Sequence, residues 1–241
     1  MRQLAVFGDI HGNLPALEAV FDDMDARGLS ERCCLGDLVG YGTFPNEVVE
    51  TIRAAQIPTL IGNYDEGVGS SSPDCGCAYR TTEARALGEL SIAWSNTHTT
   101  PENKAYLRRL PAQIPVAFNG RAVLLVHGSP RKINEYLYED RPDSSLERIM
   151  DQAKAEILVC GHTHLPYHRT LPSGRQVINA GSVGKPKDGD PRAGYIVLRE
   201  AGDGIEVDFI RVPYDVERAA RAIEATSMPD EFAAMLRAGH G

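Results

Sequence analysis

The sequence predicts an α/β fold in which two packed β-sheets are flanked by helices. In the first third of the chain, short apolar strands at 3–8, 32–35 and 57–61 alternate with helical segments. Strand–helix–strand connections of this spacing are typical of right-handed crossovers and a largely parallel sheet. From residue 113 onward the hydrophobic period changes and the chain is mostly strand, which predicts the second sheet.

The two helices of the first third have recognisable ends. Asn13 is a good N-cap, Pro15 falls in the first turn, and Gly28 ends the first helix. The second helix is predicted over 45–55. The apolar positions at helical spacing are Leu14, Leu17, Val20, Phe21 and Met24 in the first helix and Val48, Val49 and Ile52 in the second.

The middle of the chain predicts a long loop, two helices and a hairpin. Residues 66–80 are rich in Gly, Ser and Pro, and a loop of this length is expected to lie near a functional site. Helices are predicted over 81–96 and 102–109, the second capped by Thr100-Pro101. Asn119-Gly120 supplies the tight turn of a hairpin between strands 114–118 and 122–126.

The last part of the chain predicts one more helix, five strands and a helical C-terminus. No repeat, low-complexity tract or linker divides the sequence, so we expect one domain over 1–241, with a core of about 3–212 and C-terminal helices within about 214–238. Those two amphipathic helices are expected to cover the core or a homodimer interface rather than a membrane. The helix is predicted at 144–154, the strands at 157–160, 167–170, 176–179, 194–199 and 205–212, and the C-terminal helices at 215–225 and 229–238.

Composition restricts the classes of function. The chain has 241 residues, 42% hydrophobic and 24% charged, which is ordinary for a globular protein with a sizeable core. Its net charge of −8 argues against stable binding to nucleic acid or to an anionic membrane. An anionic substrate is still compatible, because bound divalent cations would dominate the local field. No segment reaches membrane-spanning length and no signal-like N-terminus is present, so we expect a cytoplasmic location.

Five cysteines at low density do not predict a disulfide framework. Cys33, Cys34 and Cys160 lie in predicted strands and are expected to be reduced core thiols. Cys75 and Cys77 lie in the long polar loop, and one residue between two thiols makes a poor zinc knuckle without a second pair. We interpret them as a loop feature of unassigned purpose, with a redox role as the second choice.

Residues with metal-binding side chains follow the predicted strands. Because ligands of open α/β sheets bind beyond the carboxyl ends of the strands, these residues can converge. They include four of the seven histidines, and their mixture of imidazole, carboxylate and amide oxygen suits manganese, iron or zinc better than calcium. One catalytic ion needs fewer ligands, whereas two ions that share Asp37 would use all of them. The seven residues are Asp9, His11, Asp37, Asn63, His127, His162 and His164.

A competing interpretation is that these residues belong to five unrelated polar turns. An isolated Asp-x-His is usually a capped turn, an isolated histidine is usually an ordinary core or surface residue, and Gly-Asp and Gly-Asn pairs are common in turns. The order of the elements, each directly after a predicted strand, favours a metal centre over that interpretation.

The same motifs resemble those of the calcineurin-like metallophosphoesterase superfamily, from about residue 3 to residue 200, and they look most like its small prokaryotic phosphodiesterase-type branch. The resemblance implies a four-layer α/β/β/α sandwich of two mixed sheets, with two divalent ions (manganese, iron, nickel or zinc) between the sheets. Asp9, His11 and His164 would hold one ion and Asn63, His127 and His162 the other, with Asp37 as the bridge. The motifs are Asp9-x-His11, Gly36-Asp37, Gly62-Asn63-x-Asp65, His127 and Gly161-His162-x-His164.

The resemblance implies a metal-dependent phosphoric ester hydrolase that acts like a phosphodiesterase on a small phosphate-ester substrate. A hydroxide between the two ions would attack phosphorus in line with the leaving group. Alternatives within enzymes are a phosphomonoesterase acting on phosphoprotein and a dinucleoside polyphosphate hydrolase. An alternative of another class is a non-catalytic interaction module on the same fold, like the retromer subunit of this superfamily. A module predicts lost ligands, and none of the seven is lost.

One position departs from the family pattern. Many members have histidine where this chain has Tyr64, followed by an aspartate that corresponds to Asp65. That histidine is thought to protonate or stabilise the leaving oxygen, so we expect either a preference for good leaving groups or another acid. The competing interpretation is that Tyr64 merely packs beside Asn63. We group Asp37, Asn63, Tyr64 and Asp65 as catalytic residues.

Substrate contacts are less well defined by the sequence. Arg131, with Lys132 beside it, follows His127 closely and is expected to contact the substrate phosphate, although both residues are equally compatible with solvated loop charges. The segment 179–184 resembles the family's loop after the last ligand, and we assign it a scaffold role.

Overall fold

The computed structural model describes residues 1–79 and 81–240. In that part of the chain, nine strands and eight helices follow one another largely as the sequence predicts. The strands are β1 (Gln3–Phe7), β2 (Arg32–Cys34), β3 (Gln113–Phe118), β4 (Arg121–Val126), β5 (Ile157–Cys160), β6 (Tyr167–Thr170), β7 (Gln176–Asn179), β8 (Ala193–Ala201) and β9 (Gly204–Val212). The helices are α1 (Leu14–Ala26), α2 (Pro45–Ala54), α3 (Asn63–Gly69), α4 (Thr82–His98), α5 (Pro101–Leu107), α6 (Asp143–Ala153), α7 (Val216–Glu224) and α8 (Glu231–Ala238).

The strands form two mixed sheets. One has four strands in the order β2-β1-β8-β9, and the other has five in the order β3-β4-β5-β7-β6. The spacing of the first strands predicts a largely parallel sheet, but the first sheet is mostly antiparallel. β1 pairs in parallel with β2 but antiparallel with β8, which also pairs antiparallel with β9. A strand from the end of the chain thus completes the sheet that the N-terminal elements begin.

The predicted third strand at 57–61 is wrong, because only one bridge forms there. Thr59 pairs with Cys34 of β2, flanked by hydrogen bonds from Cys34 N to the Pro58 carbonyl and from Leu60 N to the Cys34 carbonyl. Pro58 has no N–H to continue the ladder. The next backbone donor, Ile61 N, binds the Pro111 carbonyl instead, at 2.8 Å.

The alternating side chains of the strands separate three layers of core. In β1, Ala5 and Phe7 join the cluster that includes buried residues of α1 and α2. Leu4 and Val6 point to the opposite face and pack between the two sheets with β4 and β5. On the far side of the second sheet, Leu158 packs with residues of α6. This order of helix, sheet, sheet and helix confirms the predicted four-layer sandwich.

The C-terminal helices α7 and α8 pack against each other and against one end of the sandwich. Phe232 of α8 meets the Tyr41 ring edge to face, with centroids 5.4 Å apart, and the same cluster includes Trp94 of α4. The single-domain organisation stays a prediction. None of the helices in the described ranges combines the length and the apolar character needed to cross a bilayer.

All five cysteines are free. Cys33, Cys34 and Cys160 are buried in β2 and β5, which confirms that they are core thiols.

The long loop predicted over 66–80 is partly helical. Its first residues belong to α3, which spans 63–69, and the irregular segment 70–79 runs back to the site described below. Residue 80 lies outside the described residues.

Candidate metal centre

The seven predicted ligands converge where the ends of the two sheets face each other. Each lies in a turn directly after β1, β2, β4 or β5, except Asn63, which begins α3. Two triads form, and within each the nearest ligand atoms lie within 4.8 Å of one another. The first triad is Asp9, His11 and His164, and the second is Asp37, His127 and His162.

Asp37 lies between the two triads. Its Oδ2 is 3.3 Å from His127 Nε2 and 3.6 Å from His11 Nε2. Asn63 joins the second triad, since its Oδ1 is 3.0 Å from His127 Nε2. In the first triad, His164 Nε2 is 3.1 Å from Asp9 Oδ1. The geometry therefore places one carboxylate where two neighbouring ions would share it, although ligation itself stays a prediction.

Three of the histidines are oriented by backbone carbonyls. His11 Nδ1 donates to the Val39 carbonyl at 3.0 Å, and His127 Nδ1 donates to that of Leu35 at 2.8 Å. His164 Nδ1 likewise donates to the Lys185 carbonyl at 2.5 Å. Because Nδ1 carries the donated proton, Nε2 of each ring points to the centre as a potential metal ligand.

Buried polar atoms without hydrogen-bond partners make this centre suitable for divalent cations. Asp9 Oδ1 and His162 Nε2 are buried and have no hydrogen-bond partner. His11 Nε2 and His164 Nε2 lie 3.1 Å apart, and with both Nδ1 atoms as donors their lone pairs face each other. Such an arrangement requires a positive charge between the rings. Imidazole, carboxylate and amide donors together suit a transition metal, so the residues fit the two ions that the sequence implies.

Burial leaves three of the four histidines at the centre neutral, as metal binding requires, and leaves His127 protonated. Burial lowers the pKa of His11 to about 3 and puts the pKa values of His162 and His164 well below their usual range, which makes these rings neutral ligands. Burial alone would also lower the pKa of His127. The negative charge of Asp37 and its hydrogen bond outweigh that effect and raise the pKa of His127 to about 10.

The main chain at the site is strained. Five of the seven ligand residues have left-handed backbone conformations, with φ between 50° and 66°, which non-glycine residues seldom adopt. Conformations of this kind cost about 1–3 kcal/mol each and persist at functional sites where the surrounding structure imposes them. The five are Asp9, His11, Asp37, His162 and His164.

Glycines precede four of the seven predicted ligands, and at each of these positions a side chain would collide with neighbouring atoms. A Cβ at Gly62 would collide with the Asp37 carboxylate, and one at Gly161 would collide with Asp9 Oδ2. At Gly36 a Cβ would collide with the backbone at residue 62, and φ is +82°. The Gly-Asp, Gly-Asn and Gly-His pairs of the sequence thus have a steric cause.

Asp65 positions Asp37 rather than facing the centre. Its carboxylate accepts hydrogen bonds from the backbone N–H groups of Asp37 at 2.7 Å, Leu38 at 2.8 Å and Gly62 at 2.9 Å. Burial, followed by the charge of Asp37, raises the pKa of Asp65 to about 7. Asp65 does not itself line the cavity above the centre, so its predicted catalytic role has no support from its position.

Tyr64 packs at the centre and also holds Asp37. Its ring meets that of His11 edge to face, with centroids 5.4 Å apart, and its backbone N donates to Asp37 Oδ1 at 2.9 Å. The hydroxyl is buried without a hydrogen-bond partner and lines the cavity. Burial raises the pKa of Tyr64 well above its usual value, so the phenol is neutral. Both interpretations from the sequence, packing and leaving-group contact, remain open.

The loop with Cys75 and Cys77 supports Asn63. The Asn63 amide nitrogen donates to the Cys75 carbonyl at 3.0 Å and to Cys77 Sγ at 3.2 Å, which turns its oxygen toward His127. The loop therefore helps to orient Asn63, and its redox role stays a prediction.

Arg131 lies apart from the centre. Its Nε donates to Glu135 Oε2 at 3.1 Å, and the side chain is exposed. It is absent from the cavity wall, so the predicted substrate contact stays a prediction without a structural counterpart.

A cavity of about 390 Å³ opens above the centre. Lys185 and Lys187, which follow the segment assigned a scaffold role, line it and were missed from the sequence. Burial, with the charge of Lys187, lowers the pKa of Lys185 to about 7. Only their proximity to a loop after the last ligand could have indicated them. The other walls include Tyr41, Tyr64, Tyr79, Tyr136, Tyr138, Phe232 and Met235.

Comparison with known proteins gives consistent matches. The family model described as the calcineurin-like phosphoesterase superfamily domain matches residues 1–203. An uncharacterized protein of Methanocaldococcus jannaschii is 34% identical over 244 residues, covering 94% of each chain. A metallophosphoesterase from Sphaerobacter thermophilus is similar in structure, with a TM-score of 0.77, 29% identity and 98% of each chain covered. A hypothetical protein from Pyrococcus horikoshii has a TM-score of 0.83, 25% identity and 99% of each chain covered.

Proposed function

This chain belongs to the calcineurin-like phosphoesterase superfamily, and from that premise we propose that it hydrolyses phosphodiesters with two divalent metal ions. Membership itself supports the broader statement, a metal-dependent phosphoester hydrolase. The proposal adds three finer statements. They are the preference for diesters, the use of two ions, and manganese as the metal expected before the others.

One observation supports the proposal above the others. Asp37 lies within 3.3 Å of His127 and 3.6 Å of His11, so it touches both Asp/His triads at once. A single structural ion would occupy one triad and would leave the second buried triad at this distance unexplained. Two-metal phosphoesterases hold their ions about 3.5–4 Å apart, and one carboxylate between two triads fits such a short separation.

The residues define what each part would do. Ions in the two triads would lower the pKa of water and neutralise negative charge on the phosphoryl oxygens. The carbonyl-bound histidines and Asp65 keep the ligands in place before substrate arrives. The hydroxyls of the two nearby serines are both held by hydrogen bonds within the fold. Ser129 Oγ donates to Glu135 Oε2 at 2.5 Å, and Ser182 Oγ donates to the Asp9 carbonyl at 2.7 Å.

Metal analysis combined with a turnover assay tests this function. The protein is stripped with a chelator, reloaded with Mn²⁺, Ni²⁺ or Mg²⁺ in turn, and assayed with bis(p-nitrophenyl) phosphate, p-nitrophenyl phosphate and cyclic nucleotides. We expect about two ions per chain and faster hydrolysis of the diester than of the monoester. Faster monoester hydrolysis would contradict the diester preference and favour a phosphomonoesterase. Bound metal with no hydrolysis of any ester would contradict the enzyme and favour an interaction module.

A further inference from the structure

Two of the five lysines of the chain face the same cavity as the metal ligands. Lys185 has only 5% of its surface exposed and Lys187 is partly buried, with Pro186 between them. Charged side chains of this kind are rarely placed in a cavity unless a partner compensates them. The two cations therefore need an explanation that the metal centre does not supply.

No such partner exists among residues 1–79 and 81–240. Neither lysine forms an ion pair with a carboxylate there, and the Lys185 ammonium lies over the face of the Tyr41 ring, 4.7 Å from its centroid. Asp37, which lines the cavity, and Asp9 are the carboxylates of the two triads. Once those carboxylates hold divalent cations, the lysines face further positive charge, and a bound anion would stabilise their protonated forms.

The position of the lysines relative to the centre is fixed by backbone contacts. Gly184 N donates to the Asp9 carbonyl at 3.0 Å, and the Lys185 carbonyl accepts the hydrogen bond from His164 Nδ1. Lys185 N donates to Ser182 Oγ at 2.8 Å. The segment that carries the lysines is thus attached to two predicted ligand residues, so the backbone of both lysines is held next to the centre before any ligand binds.

The cavity is larger than one phosphoryl group requires. Its volume of about 390 Å³ falls in the range of sites that enclose whole small molecules. One wall is formed by the stacked rings of Tyr136 and Tyr138, whose centroids lie 5.6 Å apart with planes 10° from parallel. Among the described residues that line the cavity, Lys185 and Lys187 are the only lysine or arginine side chains.

We propose that Lys185 and Lys187 form an anion subsite that binds a second phosphoryl group, linked to the one held at the metal centre. Preferred substrates would then carry at least two phosphoryl groups, as nucleoside and dinucleoside polyphosphates do. This inference rests on the proposed function and narrows its substrate class. A simple diester such as bis(p-nitrophenyl) phosphate would occupy the metal centre alone.

Binding of two non-hydrolysable phosphonates tests the subsite without turnover. Methylphosphonate carries one phosphonyl group and methylenediphosphonate carries two, and both are titrated calorimetrically into the metal-loaded protein. We expect the diphosphonate to bind at least tenfold tighter. In the Lys185→Gln/Lys187→Gln double variant this preference is expected to disappear, a loss of about tenfold or more for each charged hydrogen bond removed. Binding of methylphosphonate is expected to change less than threefold.

Matched variants separate charge from folding. Lys154→Gln removes an exposed lysine outside the cavity wall and should keep the preference. Lys187→Arg keeps the positive charge and should keep most of it. Thermal unfolding and metal content of each variant show that the fold and the centre are intact.

The outcomes distinguish this inference from the function on which it rests. No preference for the diphosphonate in the natural protein overturns the subsite, and so does an equal loss of both ligands in the double variant, which would place the lysines on the first phosphoryl group. Either result leaves hydrolysis of bis(p-nitrophenyl) phosphate unaffected in the natural protein. Failure of the proposed function would instead appear as no hydrolysis of any ester by a protein that still prefers the diphosphonate.

Discussion

Four neighbouring residues act on Asp37 at once. Asp65 holds its backbone N–H, Tyr64 N donates to its Oδ1, and its Oδ2 faces His127 and His11. One oxygen is therefore fixed by the main chain and the other is left for cations. This division explains how a single carboxylate can serve two sites without rotating away.

Replacing Asp37 by Asn should disable the centre without unfolding the chain. The amide keeps the size of the side chain but loses the charge that a bridging ligand needs, so we expect about one metal ion fewer per chain and a loss of activity of 100-fold or more, on the order of what removal of a key electrostatic group costs. Mass spectrometry of bound metal and the diester assay measure both. Asp22→Asn, at an exposed position of α1, is the control. Full activity in the Asp37 variant would contradict the bridge.

Substitution at Tyr64 tests the leaving-group role. Tyr64→His restores the residue that many relatives have, and it should raise hydrolysis of alkyl phosphate esters relative to aryl esters, because only the poor alkyl leaving group needs a proton donor. A positioned general acid contributes about 10²–10⁴-fold. Tyr64→Phe, which keeps the ring against His11, is the comparison for packing. An unchanged alkyl-to-aryl ratio in the histidine variant would leave packing as the role of Tyr64.

The residue types show how far sequence reasoning extends. Aspartate and histidine after strands are visible in the sequence, so all seven ligand positions could be listed and the structure brings them together. The role of Asp65 depends on which backbone N–H groups surround it, and the position of Lys185 depends on a turn attached to Asp9. Neither feature can be inferred from local spacing. For that reason the motifs suggested a catalytic role for Asp65 and gave no indication of Lys185.

At the scale of elements, the turns after the strands carry the site. Strand β1 places Asp9 and His11 beyond its end, and β5 does the same for His162 and His164. Gly161 lets the two turns approach, because a side chain there would collide with the Asp9 carboxylate. The absence of a Cβ at Gly161 therefore allows the ends of the two sheets to approach each other this closely.

Gly161→Ala should loosen the centre through this contact. Its φ is not in the left-handed region, so the cost is steric rather than conformational. We expect a loss of about 1–3 kcal/mol of stability, typical of overpacking, and weaker metal binding. Thermal unfolding and metal titration measure the two effects. Gly204→Ala is the matched control, because a Cβ there meets only the Ala201 carbonyl at 3.6 Å. Equal effects at both glycines would refute the steric argument.

Elements with a strong local pattern were predicted almost to the residue. The hairpin of β3 and β4 follows from Asn119-Gly120, and α7 from its amphipathic period. The segment 57–61 has the composition of a strand but not the partners, since Pro58 interrupts the donors on one side. The antiparallel partner of β1 could not be predicted either, because β8 lies more than 180 residues away.

Across the whole molecule, the charge of the chain and the charge of its site differ in sign. The chain carries a net charge of −8, yet a cavity with two lysines and two metal triads would be strongly positive once ions are bound. Anionic substrates would then be repelled by much of the surface and attracted at one place. This contrast favours small, highly charged esters over polymeric anions, which would meet the acidic surface.

Metal binding should stabilise the whole fold, because the two triads join both sheets. At a concentration 100-fold above the dissociation constant, one ion adds about 3 kcal/mol, which corresponds to a rise in Tm of about 5–10 °C for a chain of this size. Thermal unfolding with and without Mn²⁺ measures the rise. The Asp37→Asn variant should show a smaller rise, and an equal rise in both proteins would mean that the ion binds elsewhere.

The rise in Tm should also depend on pH, with a sign set by His127. In the metal-free chain Asp37 raises the pKa of His127 from 6.5 to about 10, so protonated His127 stabilises the fold fully below pH 6.5 and this contribution disappears as pH passes 10. A cation at Nε2 must displace that proton. We therefore expect about one proton released per chain at pH 7.5 and a larger metal-induced rise in Tm at pH 8.5 than at pH 6.5. Calorimetry in buffers of different ionisation enthalpy counts the proton, and His127→Gln should abolish its release. A rise in Tm that is the same at both pH values would place the ion away from His127.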